Sequence, residues 1–221
     1  MRLSSILTAL LAAAVAWSAP AFATNSMFTS EGAFQTAAGA TQIESFESVS
    51  ARTRSANPIQ TSLITVTPVA ALIGIQNSPQ SPEEGFGSFA VSGSQYLFSY
   101  NPNQLPGSLR FTFNNPVNAF ALTLTDVESD APISLSTNAG FFAGGASLST
   151  AGGGQGSLLF YGLTQDVAFT EVVLTVNVDD DAFGVDKVHI AAVPEPAEYA
   201  LMLAGLALVG AAARRRRKTR T

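Results

Sequence analysis

Cysteine is absent from the 221 residues, and histidine and tryptophan occur once each. Without thiols there is no disulfide, no thiol nucleophile and no Cys-ligated metal centre. A lone histidine, His189, cannot supply the ligand set of a zinc protease. A Ser-His-Asp triad would have to use that same residue, and no Gly-x-Ser-x-Gly elbow accompanies it. Gly152-Gly153-Gly154-Gln155-Gly156 lacks the Lys-Ser/Thr and the following helix that a phosphate loop needs. Lysine is nearly missing too. Between residues 24 and 193 only Arg52, Arg54, Arg110 and Lys187 are cationic, against fourteen carboxylates, a net charge near −10. Such a surface repels phosphate backbones, so nucleic acid is not an expected partner. Long helical periodicity is also missing from that stretch, which excludes a helical bundle.

The two ends differ from the middle. Arg2 precedes an apolar run over 3–17, and Ala21-Phe22-Ala23 is a small-x-small site. This predicts a secretory leader, 1–23, used by the Sec export machinery and cut after Ala23. The sole tryptophan, Trp17, leaves with it. Residues 24–192 then suffice for one domain with a proper core. The far end carries Pro194-Glu195-Pro196, an uncharged run over 199–213, and Arg214, Arg215, Arg216, Arg217 and Lys218. As a helix the uncharged run spans about 22 Å. That is short of the ~30 Å hydrocarbon core, a gap that thinning and snorkelling can close. Basic residues beside a span stay cytoplasmic, so 214–218 is read as the stop and everything before Pro194 as exported. The two prolines hold the joint extended and open to protease.

Pro-Glu-Pro, a short span and an arginine cluster in that order resemble the PEP-CTERM sorting signal of exopolysaccharide-producing Gram-negative bacteria. The resemblance covers 193–218. It implies that Pro194, Glu195 and Pro196 are the recognition site of an exosortase, a membrane cysteine protease-transpeptidase that cuts nearby. The chain would be held transiently in the inner membrane, C-terminus cytoplasmic, before reaching the cell surface or matrix. The middle resembles the sandwich domains carried by that family at Ile43-Glu44-Ser45-Phe46-Glu47, Leu109-Arg110-Phe111-Thr112-Phe113, Pro116-Val117-Asn118-Ala119-Phe120 and Phe183-Gly184-Val185-Asp186-Lys187-Val188. Those domains more often place a second acidic residue where Lys187 stands.

Read for elements, 24–40 is a weakly patterned lead-in, 41–49 a first strand and 51–58 a loop. One or two strands over 60–73 break at Pro68, and 76–87 is turn-rich. Residues 86–91 and 96–100 flank Ser92-Gly93-Ser94-Gln95 as a hairpin. Strict alternation over 109–113 is followed by a turn at Asn114-Asn115-Pro116. Residues 117–125 then put Phe120, Leu122 and Leu124 on one face and Ala121, Thr123 and Thr125 on the other. Further strands fall at 133–137 with 140–143, at 157–161, at 169–178 and at 182–192. The expected fold is all-β, a two-sheet antiparallel sandwich, jelly-roll-like, between a signal helix and a single transmembrane helix.

One metal site suggests itself. Carboxylates at Asp179, Asp181 and Asp186, with Glu47 from the first strand, suit structural calcium, a hard cation that takes oxygen ligands. The competing reading is a solvated acidic turn with Asp186 capping backbone amides, and no other cofactor is expected. His189 is read as a solvent-side strand residue. Tyr96, Tyr100, Phe141, Phe142, Phe160 and Tyr161 are candidates for a sugar-stacking platform. Asp126, Glu128 and Asp130 could support a hydrolase only if two of them met in a cleft. The function expected is that of a non-catalytic exported protein linked to exopolysaccharide, with a carbohydrate-binding module as the alternative and a secreted hydrolase behind it.

Overall fold

The computed structural model describes residues 25–78, 88–100, 107–127, 132–144, 156–176, 182–192, 202–207 and 209–210. The strands in chain order are β1 (Ser26–Phe28), β2 (Gln42–Glu44), β3 (Arg52–Ser55), β4 (Ile59–Gln60), β5 (Ile64–Val69), β6 (Leu72–Asn77), β7 (Gln95–Tyr100), β8 (Gly107–Thr125), β9 (Ile133–Thr137), β10 (Phe142–Gly144), β11 (Leu158–Val176) and β12 (Ala182–Ala192). One helix, α1 (Glu31–Ala38), follows β1. Every ladder is antiparallel.

β8 and β11 are nineteen residues each and run side by side. Each changes its second partner half-way. The first half of β8 pairs with β5 and the second with β12. The first half of β11 pairs with β1 and the second with β9. Between the halves the β8–β11 register shifts, at Thr164/Phe169 and Phe169/Glu171. The hydrogen-bonded sheet therefore turns a corner and folds over into two layers. One contains β10, β9, β11, β8, β5 and β4; the other contains β1, β11, β8, β12, β7, β6 and β3, with β2 on the far half of β12. Their inner faces share one core, with Leu109, Phe111, Val172 and Leu174 from the first and Phe120, Leu122, Val185 and Val188 from the second. At the corner Phe120 meets Phe111 at 5.3 Å and Phe113 at 5.6 Å between ring centroids.

Several local expectations need correction. Asn114-Asn115-Pro116 is not a turn; β8 runs through it. The three residues are exposed and sit at the change of partners, where Pro116 has no ladder amide to supply. Pro68 likewise lies within β5, paired to Leu109, on a side that the short β4 does not reach. The 51–58 loop contains β3 on the sheet edge. The described part of 86–91, residues 88–91, is not strand, and β7 pairs with β6 and β12; only 42–44 of the first expected strand is strand. β9 and β10 do pair across Asn138-Ala139.

The lead-in 24–40 holds β1 and α1, and no periodicity announces that helix. Eight residues do not make a stable isolated helix, so its reason is tertiary. Phe34 is its buried residue, packed on Ala119, Ala121 and Ala191. Gly162 completes the seat, since a Cβ there would come within 2.7 Å of the Phe34 ring. Gly39, at φ +73°, ends the helix. This cover explains why Ala121, on the supposed outer face of β8, is fully buried.

Phe34→Ala should cost about 3–5 kcal/mol and free α1 from the sheet. Phe142→Ala, at a ring 71% exposed, should change stability by less than about 0.5 kcal/mol. Urea unfolding of the two variants reads both, and equal costs would reject this account of α1.

Candidate functional site

β12 is central in its layer, between β8 on one side and β7 and β2 on the other. Its last residue, Ala192, lies opposite Val117. Pro194, Glu195, Pro196 and Arg214, Arg215, Arg216, Arg217 and Lys218 fall outside the described residues, as do the leader site at Ala21 and Ala23 and the acidic residues Asp179 and Asp181. Within the expected 199–213 segment the backbone is helical at 202–207 and 209–210. Met202, Leu203, Leu206 and Val209 are 58–69% exposed there, so the β domain leaves this apolar surface uncovered. Among the described residues no helix is long and apolar enough to cross a membrane.

Asp186 and Glu47 are brought to one feature, a strap over 88–95 that crosses the outer face of the second layer. Lys187 adopts φ +49°, and the β8–β12 register slips between Asp186 and His189. Simple alternation from Val188 and Ile190 turns Asp186 toward the core; this bulge reverses it. Asp186 is fully buried on the outer side instead. Its Oδ2 accepts the amides of Val91 and Ser92, each at 2.7 Å, and its Oδ1 accepts the Lys187 amide at 2.6 Å. Glu47 Oε1 accepts the amides of Ser94 at 2.8 Å and Gln95 at 2.6 Å. Thr125 Oγ1 also bonds both backbone groups of Phe89 at 3.3 Å. Each carboxylate thus serves the strap's backbone. Among the described residues no group of three His, Asp or Glu could hold a metal.

Burial pushes the Asp186 carboxyl up to about 6, against the pull of its three amide donors and with a further upward push from Glu47. Glu47, with the amides of Gln95 and Ser94 on it, is held below the usual carboxylate range.

His189 is not on the solvent side. It is fully buried, because α1 closes over it. Phe34 and Phe160 approach its ring nearly edge-on at 5.9 and 6.2 Å. Nδ1 is 3.2 Å from Thr41 Oγ1. Nε2 is 3.2 Å from Glu31 Oε1 but outside hydrogen-bond alignment. Lys187 Nζ donates to both Glu31 oxygens, at 2.7 and 2.9 Å. Burial holds the His189 pKa below its ordinary value, and the Lys187 hydrogen bond holds Glu31 low. A hydroxyl, an imidazole and a carboxylate stand in line here, yet Lys187 grips the carboxylate and two rings close off the imidazole. The cluster clamps α1 to β12. Sequence reasoning missed it because the helix that carries Glu31 leaves no sequence signature.

The sugar-stacking platform does not assemble. Tyr96, Tyr161 and Phe141 are buried, Phe160 is half-buried, and Tyr100 stacks under the Arg54 guanidinium at 4.8 Å. Of the six rings only Phe142 stands exposed. A cavity of about 260 Å³ lies instead at the corner, lined by Phe28, Ala38, Asn118, Thr164 and Asp166 among others.

Asp186 carries a pH signature. Its folded value near 6 exceeds the ordinary 3.8, so between those pH values the folded state binds more protons than the unfolded. Its contribution to stability is therefore full below 3.8 and falls as pH rises, by up to about 3 kcal/mol. His189 acts oppositely, adding stability as pH rises toward 6.5. Comparing wild type with Asp186→Asn cancels the His189 slope. The difference in unfolding free energy should move against wild type by roughly 2–3 kcal/mol between pH 4 and pH 7. A flat difference rejects the burial argument.

Residues 192–217 match the PEP-CTERM protein-sorting motif. No curated protein matches the chain. Among solved structures, the K1 cleaved adhesin domain of Lys-gingipain from Porphyromonas gingivalis W83 is 12% identical with a TM-score of 0.43, covering 71% of this chain and 100% of that one. The C-terminal family 22 carbohydrate binding module of Clostridium thermocellum Xyn10B is 15% identical with a TM-score of 0.42, covering 72% and 98%. A family 35 carbohydrate binding module from Clostridium thermocellum is 14% identical with a TM-score of 0.40, covering 70% and 100%. At these scores the likeness assigns no function. The chain carries a PEP-CTERM sorting signal that begins on the last residue of β12, and such a signal implies an exported protein recognised by an exosortase.

Proposed function

We propose that the protein is a non-catalytic cargo of an exosortase, exported by the Sec machinery and delivered to the cell surface or the exopolysaccharide matrix. The observation that carries this is the motif match over 192–217. The leader over 1–23, the inner-membrane span at 199–213, the cytoplasmic stop at 214–218 and a jelly-roll-like connectivity belong to the same proposal. The uncovered apolar side chains at Met202, Leu203, Leu206 and Val209 support the span, since such surface needs lipid or protein against it. No cofactor takes part. Asp186 and Glu47 are turned to backbone amides, which favours amide capping over calcium.

A second reading, carbohydrate binding, is favoured by the corner cavity. Asn118, Thr164 and Asp166 offer hydrogen-bonding groups beside the apolar Phe28 and Ala38, and 260 Å³ suits one sugar ring rather than a large ligand. A glycan array with wild type and Asn118→Ala separates this reading from cargo alone.

Replacing Pro194, Glu195 and Pro196 with alanine should leave the protein membrane-bound at its unprocessed mass. Intact-mass measurement from the producing cell reads this, and normal processing refutes the sorting role. The melting temperature should be the same in millimolar calcium and in EDTA; a calcium-dependent rise would restore the metal site.

A further inference from the structure

The fold leaves the sorting motif almost no slack. Ala192 is paired to Val117 in the sheet, and Pro194 is two residues further on. An extended chain gains at most about 3.6 Å per residue, so Pro194 lies within roughly 7 Å of the folded domain and Pro196 within roughly 14 Å. An enzyme that takes this motif into a cleft must touch the end of the domain. The alternative is to unzip β12, which would expose Val188 and Ile190 from the core and break ladders to β8 and β2.

The register identifies what stands at that end. Ala192, Val117 and Phe169 form one row across three strands. Asn114, Asn115 and Pro116 come directly before Val117, on the side toward which β12 runs out, and Val167 lies two residues before Phe169, on the other side, so the two stretches flank the row. The first three are exposed, and Val167 is 60% exposed. Neither 114–119 nor 163–169 contains a lysine or arginine, and Asp166 is their one carboxylate. On a domain with a net charge near −10, this corner is comparatively free of charge and cheap to desolvate.

We infer that the corner formed by Asn114, Asn115, Pro116 and Val167 is the surface on which the exosortase docks, through apolar and amide contacts rather than ion pairs. The inference rests on the sorting role proposed above. The enzyme is chosen over the lipid surface because the reach of the chain requires it to be there.

The test uses the full-length precursor with its exosortase, in the producing cell or in proteoliposomes, and follows loss of precursor mass with time. Val167→Glu should slow processing roughly tenfold, the loss of about 1.4 kcal/mol of contact, and Asn115→Glu should act in the same direction. A flexible Gly-Ser insertion of about ten residues after Ala192 removes the tether constraint. With it, both variants should process within about twofold of the otherwise wild-type chain carrying the same insertion. Val167→Ile should process normally, and all variants should keep the wild-type urea midpoint. Normal processing of both Glu variants overturns the inference, as does slow processing that the insertion does not relieve. Loss of binding to phosphatidylcholine vesicles with unchanged processing would also overturn it, giving the corner to the bilayer. The triple alanine variant at 194–196 is run alongside. If it stalls while the Glu variants do not, docking fails alone; if it is processed normally, the sorting role itself fails.

Discussion

The antiparallel pairing of β8 with β11 belongs to both layers at once. Two strands of nineteen residues cannot stay flat and still bury an alternating face, so they bend together at two staggered irregularities, 113–116 opposite Thr170 and 165–168 opposite Asn118. Each half then recruits its own neighbours: β5 and β9 on one side of the bend, β12 and β1 on the other. Phe113 and Phe120, which flank the bend on β8, close it from inside. A sandwich made this way has its layers tied by covalent backbone as well as by the core, and its corner is the natural place for residues that a ladder cannot use.

Folding a sheet over protects its inner faces and leaves the outer ones to water. On the second layer the outer face is covered as well, by α1 at one end and by the 88–95 strap at the other. α1 lacks the apolar area to hold itself, since it buries one phenylalanine, and the strap is gripped through its backbone amides. Charged groups do the holding instead. Asp186 and Glu47 take five strap and strand amides between them, and the Lys187–Glu31 pair pins the helix. Burying Asp186 and His189 is costly, and their displaced pKa values record that cost. Both sit next to the bulge at Lys187, so one irregularity in β12 serves both attachments.

The strands with period-two patterning were legible: β8 from Leu109 to Phe113, the C-terminal half of β11, β12, and the β9–β10 hairpin. What escaped depended on contacts distant in sequence. α1 exists because Gly162 and three alanines leave a seat for Phe34, and nothing local to 31–38 says so. His189 was misjudged for the same reason, since alternation assigns a face but not what covers it. At Asp186 the capping of backbone amides is legible as one of two readings, but its full burial is not, because the bulge at Lys187 that sets its side of the sheet is announced by no residue type. Proline misled twice, at Pro68 and Pro116, because both occupy ladder positions that need no donor.

Where β12 sits bears directly on delivery. A sorting signal on a floppy terminal linker would make the cargo's shape irrelevant to the enzyme that handles it. Here the signal starts on a strand hydrogen-bonded on both flanks, at the corner where the layers meet. The same backbone that closes the core thus sets the distance between folded cargo and membrane. That geometry makes the exported domain a participant in its own processing, because the surface around Val117 and Val167 must fit whatever approaches Pro194.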